Sequence, residues 1–287
     1  QIGHFLDFDL TICAASPDKL RQIDQVAADT GRRARVHLKI DTGMGRIGKR
    51  WDRADEFFEQ AVTSEHCDVT GVFSHFANSD AADKSFAKLQ IERFLHATSF
   101  FERHGLPTPT RHMANSGGVL QHPESWLDMV RPGILLYGIY PSPEVERSIA
   151  IQPVMAFRTR VVYFKVVEQG ATVGYDMTWA APHQTRVVTL PVGYGDGYSR
   201  ALSNRGEVLI GGRRQPIIGR MSMDQCSADI GEESAYNGDE VVLIGDQGDE
   251  RITIEEVAEW VGTIPYEVLT MLNTRVPRHY VGAAPAM

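Results

Sequence analysis

Residues 35–49 read RVHLKIDTGMGRIGK, and GMGRIG within that run has the form G-x-G-x-x-G. Glycines at this spacing, between a strand and a helix, cradle a pyrophosphate when backbone amides and the helix N-terminus face the anion. The neighbours argue against that chemistry here. Asp41 and Thr42 separate the strand from Gly43. The next strand ends in FSHFA, so His75 stands where an acidic ribose ligand belongs, and Asp68 comes too early. A dinucleotide loop also has no use for Arg46 in its middle. The plain alternative, a tight glycine loop, leaves Arg46 equally unexplained.

Further reactive groups fall at the ends of successive strand-like stretches. In order they are Lys39 and Arg46, then His75, then Asn115 and Ser116, then Arg131 with Gly133. In parallel α/β folds functional groups gather at the C-terminal strand ends. Two arginines, a histidine, a lysine and a serine at a helix start suit an anionic, phosphate-bearing ligand. Singly, each has a duller reading: His75 as a core histidine, Ser116 as a helix cap. Their joint occurrence at consecutive strand ends points to a ligand site.

The elements that must carry these groups follow a strand–helix rhythm. DLTICA precedes a helix with Ser16 as N-cap, Pro17 at its first position and Gly31 just past its end. RVHLKI leads to a helix over residues 51–62. DVTGVFSHF leads to a long helix over residues 83–104 closed by Gly105, and TRHMAN to a short helix from Ser116, with LDMVRPG last. Five such units predict a parallel α/β architecture, and periodicity does not separate a closed barrel from an open sheet. Beyond residue 149 short, β-branched, glycine-punctuated strands predict an antiparallel β domain. The border falls within residues 141–149, giving domains 1–148 and 149–287. A final helix opens with Thr253 and Glu256 in capping-box spacing.

Bulk properties exclude several classes. The 287 residues are 43% hydrophobic and 23% charged, with a formal net charge of −8 and no basic run, which argues against a nucleic-acid surface. Cys13, Cys67 and Cys226 are too sparse for a disulfide framework or a metal cluster. They fit a reducing compartment, hence the expectation of a cytoplasmic protein. No apolar run approaches the ~20 residues of a membrane-spanning helix.

Taken together, KIDTGMGRIG, SHFANSD, MANS, VRPGILLYG, VGYDMTW, LPVGYGDGYSR, GRMSMDQ and IPYEV with RVPR resemble alanine racemase, in order and over nearly the whole chain. The resemblance implies a TIM-like α/β barrel followed by a β-rich domain, with pyridoxal 5′-phosphate (PLP) as cofactor. It also implies a homodimer in which each active site takes its barrel from one subunit and its β domain from the other. The implied reaction interconverts L- and D-alanine by two bases on opposite faces of the substrate, supplying D-alanine for peptidoglycan. By motif, Tyr175 would be one base, given by the partner subunit, with His75 beside it. Arg131 would face the pyridine nitrogen, near Asn115. Ser116, the amides of Gly133 and Ile134, and the Tyr266 hydroxyl would hold the phosphate. Met223, Asp224 and Tyr194 would surround the substrate, and Asp80, Arg200 and Arg220 would line the access corridor. Arg46 would reach the cofactor's phenolic oxygen and the substrate carboxylate.

Lys39, pointing inward from a barrel strand, is costly as an unpaired ammonium. Desolvation favours its neutral amine, which can add carbon dioxide to form a carbamate able to hold Arg46, as the resemblance also implies. The alternative is an ordinary ion pair with Asp41 or a nearby glutamate. The family's PLP-anchoring lysine lies in a block like VVKANAYGHG, and nothing similar occurs here. Five strand–helix units also fall short of the eight in such a barrel. The expectation is therefore a companion N-terminal segment carrying that lysine. A serine or broad-specificity racemase, a non-catalytic PLP-binding barrel protein and an inactive fragment stand as alternatives.

Overall fold

The structure is a computed structural model that describes residues 1–282. The chain divides into two compact units, Gln1–Ile151 and the residues from Gln152 onward. The first contains α1 (Ile2–Asp7), β1 (Ile12–Ala14), α2 (Pro17–Asp29), β2 (Ala34–Asp41), β3 (Lys49–Arg50), α3 (Asp55–Val62), β4 (Cys67–Phe73), α4 (Ser85–Arg103), β5 (Thr110–His112) and α5 (Ser116–Gln121). Its strands pair in parallel, in the order β1–β2–β4–β5, with β3 attached to the end of β2. Met129 extends the series through a parallel bridge to His112. Parallel strands laid down in chain order with intervening helices form an arc of a TIM-like barrel wall.

One face of this sheet is packed by helices, while the other carries exposed Cys13 and Arg35 and half-buried His37 and Phe73 beside Lys39. On one face Ala34, Val36, Leu38 and Ile40 of β2 are fully buried against Leu20 and Ile23 of α2, Phe57 and Phe58 of α3, and Phe94, Phe100 and Phe101 of α4. The Phe58 ring lies 5.0 Å from Phe101 and 5.3 Å from Phe100. The other face carries Lys39, itself only 4% exposed. Helix boundaries follow the local chemistry. The Ser16 hydroxyl accepts from the Lys19 amide at 3.1 Å, Pro17 opens α2, and Gly31 turns left-handed at φ 62°. Gly105, at φ 63°, lies just past α4. The helix expected over residues 51–62 is divided: Trp51–Arg53 form a 3-10 turn and α3 starts at Asp55. Trp51 holds that turn by packing edge-on against His96 at 5.5 Å and beneath the Arg93 guanidinium at 5.5 Å.

The second unit contains β6 (Phe157–Arg160), β7 (Tyr163–Val167), β8 (Thr172–Val173), β9 (Trp179–Ala180), β10 (Thr185–Leu190), β11 (Glu207–Ile210), β12 (Arg213–Ile218), β13 (Cys226–Gly231), β14 (Glu240–Gln247), β15 (Glu250–Ile252), α6 (Ile254–Val261) and α7 (Pro265–Met271). Seven strands form an antiparallel path β15–β14–β11–β12–β13–β10–β7, and β6 pairs with β14. Alternate residues of β13 are buried, which gives the sheet one core face. Strands β8 and β9 make a separate hairpin. The capping box of α6 forms as expected, with the Thr253 hydroxyl accepting from the Glu256 amide at 3.1 Å and the Glu256 carboxylate accepting from the Thr253 amide at 2.8 Å. Among the described residues no helix is long and apolar enough to cross a membrane.

Candidate active site

Strand register builds the centre of the first unit. His37 lies opposite Gly71, Lys39 opposite Phe73, and Phe73 opposite His112, so these side chains share one face. A Cβ on Gly71 would sit 2.6 Å from the His37 ring, and the glycine is what admits that imidazole. The Phe73 ring stacks on His112 with centroids 5.0 Å apart and planes inclined by 6°. Lys39 Nζ and the Arg131 guanidinium stand 5.1 Å and 5.3 Å from the same ring, within cation–π range. Arg131, two residues past the Met129 bridge, donates to His112 Nδ1, to the Ser74 carbonyl at 2.8 Å and to the Met113 carbonyl at 3.4 Å, with His75 Nδ1 at 3.5 Å. Because a guanidinium only donates, His112 Nδ1 carries no proton. Its Nε2–H therefore donates to His37 Nδ1, at 2.9 Å.

Among the described residues neither Lys39 nor Arg131 forms an ion pair with a carboxylate, although the Asp41 charge acts on Lys39 and favours its ammonium form. Burial first, then the Arg131 charge, pulls Lys39 down to about 8. Burial and the charges of Arg131, Lys39 and Arg46 take His75 down to about 4. His112 falls to about 3 through burial, then Arg131, His37 and Lys39. Both imidazoles are thus neutral at physiological pH, in partly desolvated surroundings dominated by positive charge. Such a setting favours an anion.

The glycine loop has a different job from phosphate binding. The Asp41 carboxylate accepts from the Gly43 amide at 3.0 Å and the Gly45 amide at 3.1 Å, so those N–H groups are already satisfied. Gly43, Gly45 and Gly48 have φ of 144°, 71° and 120°, and a Cβ on Gly48 would lie 2.9 Å from the Asp41 nitrogen. This turn leaves Arg46 exposed, without a hydrogen bond or ion pair among the described residues, with its charge felt at Lys39 and His75.

The Arg131 backbone amide donates to the Ala114 carbonyl at 2.9 Å, which brings it beside a polar cluster at the start of α5. Asn115 caps α5, its Oδ1 accepting from the Gly118 amide at 3.0 Å and from the Ser79 hydroxyl at 2.6 Å. The Ser116 hydroxyl, 3% exposed, accepts from the amides of Gly133 at 3.0 Å and Leu135 at 3.4 Å. Ile134 opens the adjoining 3-10 turn Ile134–Tyr137. A Cβ on Gly133 would have one neighbour within 4 Å, the Ser116 Oγ at 4.0 Å, so space remains beside that amide. Asp80 is partly buried, its carbonyl accepting from the Ser142 hydroxyl at 2.8 Å.

In the second unit Tyr175 occupies the loop between β8 and β9 and is 68% exposed. Its backbone bridges to Arg220, whose Nε lies 2.8 Å from the Asp176 carboxylate. The Met223 carbonyl accepts from the Gly195 amide at 2.8 Å, next to Tyr194. Asp224 pairs with Arg275, which also holds Asp196 at 2.8 Å. Arg200 opens the 3-10 turn Arg200–Leu202, and Tyr266 lies in the first turn of α7.

Two family models cover this chain: the alanine racemase N-terminal domain over residues 1–141 and the alanine racemase C-terminal domain over residues 154–280. An alanine racemase of Desulforamulus reducens is 42% identical over 285 residues, spanning 98% of this chain and 76% of that protein. The chain belongs to the alanine racemase family. The alanine racemase of Streptomyces coelicolor A3(2) superposes with a TM-score of 0.92 at 34% identity, covering 98% of this chain and 75% of that one. The Bartonella henselae alanine racemase, solved with covalently bound pyridoxal phosphate, superposes with a TM-score of 0.87 at 27% identity, covering 97% and 75%. The family barrel and antiparallel C-terminal domain are the two architectures described above.

Of the residues expected from the sequence, the first unit brings Lys39 and Arg131 to Phe73, His75 to Arg131, and Ser116 to the Gly133 amide, with Leu135 rather than Ile134 as the second amide on its hydroxyl. The second unit brings Tyr175 to Arg220. Sequence reasoning missed His37, Phe73 and His112, and also Arg275. The first three were accessible in principle, since alternation along RVHLKID puts His37 on the face of Lys39. No group of three or more His, Cys, Asp or Glu residues that could hold a metal occurs among the described residues.

Proposed function

We propose that this protein interconverts L- and D-alanine with PLP as cofactor, and that its homodimer shares its active sites. The observation that carries this reading is the pair of cationic side chains, buried Lys39 and half-buried Arg131, set beside neutral histidines and without a carboxylate ion pair among the described residues. With the Ser116 hydroxyl and the space beside Gly133, this donor set fits an anionic ring-and-phosphate cofactor. When bound, PLP supplies an electron-withdrawing ring that acidifies the substrate Cα–H bond.

The chain's residues then have distinct tasks. Arg131, backed by His112 and near Asn115, would face the pyridine nitrogen, where a guanidinium that only donates would favour the unprotonated ring. The Ser116 hydroxyl and the Ile134 amide would hold the phosphate, with the Gly133 amide joining them when it is released from Ser116 Oγ. Lys39 reacts as its neutral amine: the nitrogen lone pair bonds to the carbon of CO₂ as one C=O π pair moves onto oxygen, one N–H proton passes to water, and the carbamate anion holds Arg46. Arg46 orients the substrate carboxylate. Tyr175 of the partner subunit moves the α-proton on one face, with His75 beside it. On the opposite face a lysine acts from a block like VVKANAYGHG, which is not among these 287 residues. Met223, Asp224 and Tyr194 shape the substrate end, and Asp80, Arg200 and Arg220 the access corridor. The D-alanine formed supports peptidoglycan synthesis in the cytoplasm.

The test is a substrate panel run on protein expressed from its complete reading frame and loaded with PLP. Inversion of alanine should exceed that of serine and of bulkier amino acids. Comparable rates across the panel would replace this reading by a broad-specificity racemase, and no turnover of any amino acid would leave only PLP binding.

A further inference from the structure

The loop that presents Tyr175 is conformationally demanding. Asp176 and Met177 both adopt left-handed backbone, at φ 58° and 50°, an unfavourable state for two consecutive non-glycine residues. A loop of this kind keeps one shape only where neighbours over-determine it, and two contacts do so. The first is the backbone bridge Tyr175–Arg220 together with the Arg220 Nε to Asp176 contact at 2.8 Å. The second runs through Asn204: its Nδ2 donates to the Thr178 hydroxyl at 3.1 Å, and its Oδ1 accepts from the Gly219 amide at 2.6 Å. The Ser203 hydroxyl accepts from the Met221 amide at 2.9 Å, tying the same turn from the next residue. Gly174 and Gly219 let the two backbones meet: a Cβ on Gly174 would lie 2.9 Å from the Arg220 nitrogen, and one on Gly219 2.4 Å from the Val173 carbonyl oxygen.

We infer that Asp176–Arg220 and Thr178–Asn204 form a two-point brace that positions Tyr175, so that Asp176, Thr178 and Asn204 are positioning residues for proton transfer on one face of the substrate. The inference rests on the assignment of Tyr175 as a base. Arg220 thereby has a role in loop geometry besides its place in the corridor.

The test uses Asp176→Asn, which tolerates the left-handed backbone while removing the charge, Thr178→Val, which removes the hydroxyl at nearly constant shape, and the double variant, all PLP-loaded. In the double variant amide hydrogen exchange over residues 173–179 should quicken about tenfold. Its kcat should fall about tenfold with KM changed less than about twofold. The α-deuterium kinetic isotope effect should rise for the alanine enantiomer whose proton Tyr175 takes, and not for its mirror image. Unchanged exchange, unchanged kcat, or an equal rise for both enantiomers would each overturn the brace. Tyr175→Phe, run alongside, separates the two claims. A fully active Tyr175→Phe removes the base assignment and with it the brace's role. An inactive Tyr175→Phe beside an unperturbed double variant removes the brace alone.

Discussion

The two units hold their candidate groups by opposite means. In the first, Lys39, Phe73 and His112 are fixed by parallel register, and the burial that places them also retunes them. Lys39 drops to about 8 and His75 to about 4 because water is excluded and Arg131 is close. In the second, Tyr175 rides an exposed loop whose shape is set by a few side-chain contacts. Burial makes a site robust in geometry and altered in chemistry. A braced loop leaves the side chain accessible and its geometry open to small substitutions.

This contrast breaks most sharply at the two ends of the reaction. Tyr175→Phe should lower kcat by about 10³-fold with fold and cofactor absorbance intact, the size expected for a lost acid–base group. Lys39→Ala should cost about 10²-fold through loss of Arg46 orientation. Wild-type protein in ¹³C-bicarbonate should show a carbamate carbon signal that Lys39→Ala lacks, and an absent signal in the wild type would restrict Lys39 to its amine.

His112→Ala sharpens the account of the buried face. It strips partners from Arg131 and from His37 Nδ1, so urea unfolding should show a loss of about 1–3 kcal/mol. Burial should also appear in the pH dependence of stability. His75 and His112 have folded-state values below 6.5, so the unfolded chain binds more protons in mild acid. Stability should fall as pH drops from about 6.5 towards about 4. For Lys39 without CO₂, the unfolded chain binds more protons between about 8 and 10.5, and stability should rise with pH across that window. Lys39→Ala should flatten the rise. The smallest effect belongs to the loop: Gly43→Ala, at φ 144° with its Cβ 2.8 Å from Phe86, should cost about 1–2 kcal/mol.

Much of this was legible in the sequence where chemistry is local. Ser16, Pro17 and Gly31 mark α2 and Thr253 with Glu256 marks α6 because caps act within a few residues. Strand-end positions singled out Lys39, His75, Ser116 and Arg131 as candidates from their place in the local pattern alone. What depends on register was not legible. Phe73 meets Lys39, His112 and Arg131 only once β2, β4 and β5 are aligned, and a bulge between Val36 and His37 shifts that alignment. The division of the 51–62 helix reflects Trp51 packing on α4, a tertiary effect. The glycine loop is the most instructive case. Its fingerprint was formally present, yet Asp41 takes the amides that a pyrophosphate would need.

The most direct test of the account follows L- and D-alanine by ¹H NMR in ²H₂O with the PLP-loaded wild type and Tyr175→Phe. The account predicts that wild type inverts both enantiomers with loss of the α-proton signal, and that Tyr175→Phe inverts neither at an appreciable rate. Inversion by Tyr175→Phe at the wild-type rate would contradict it.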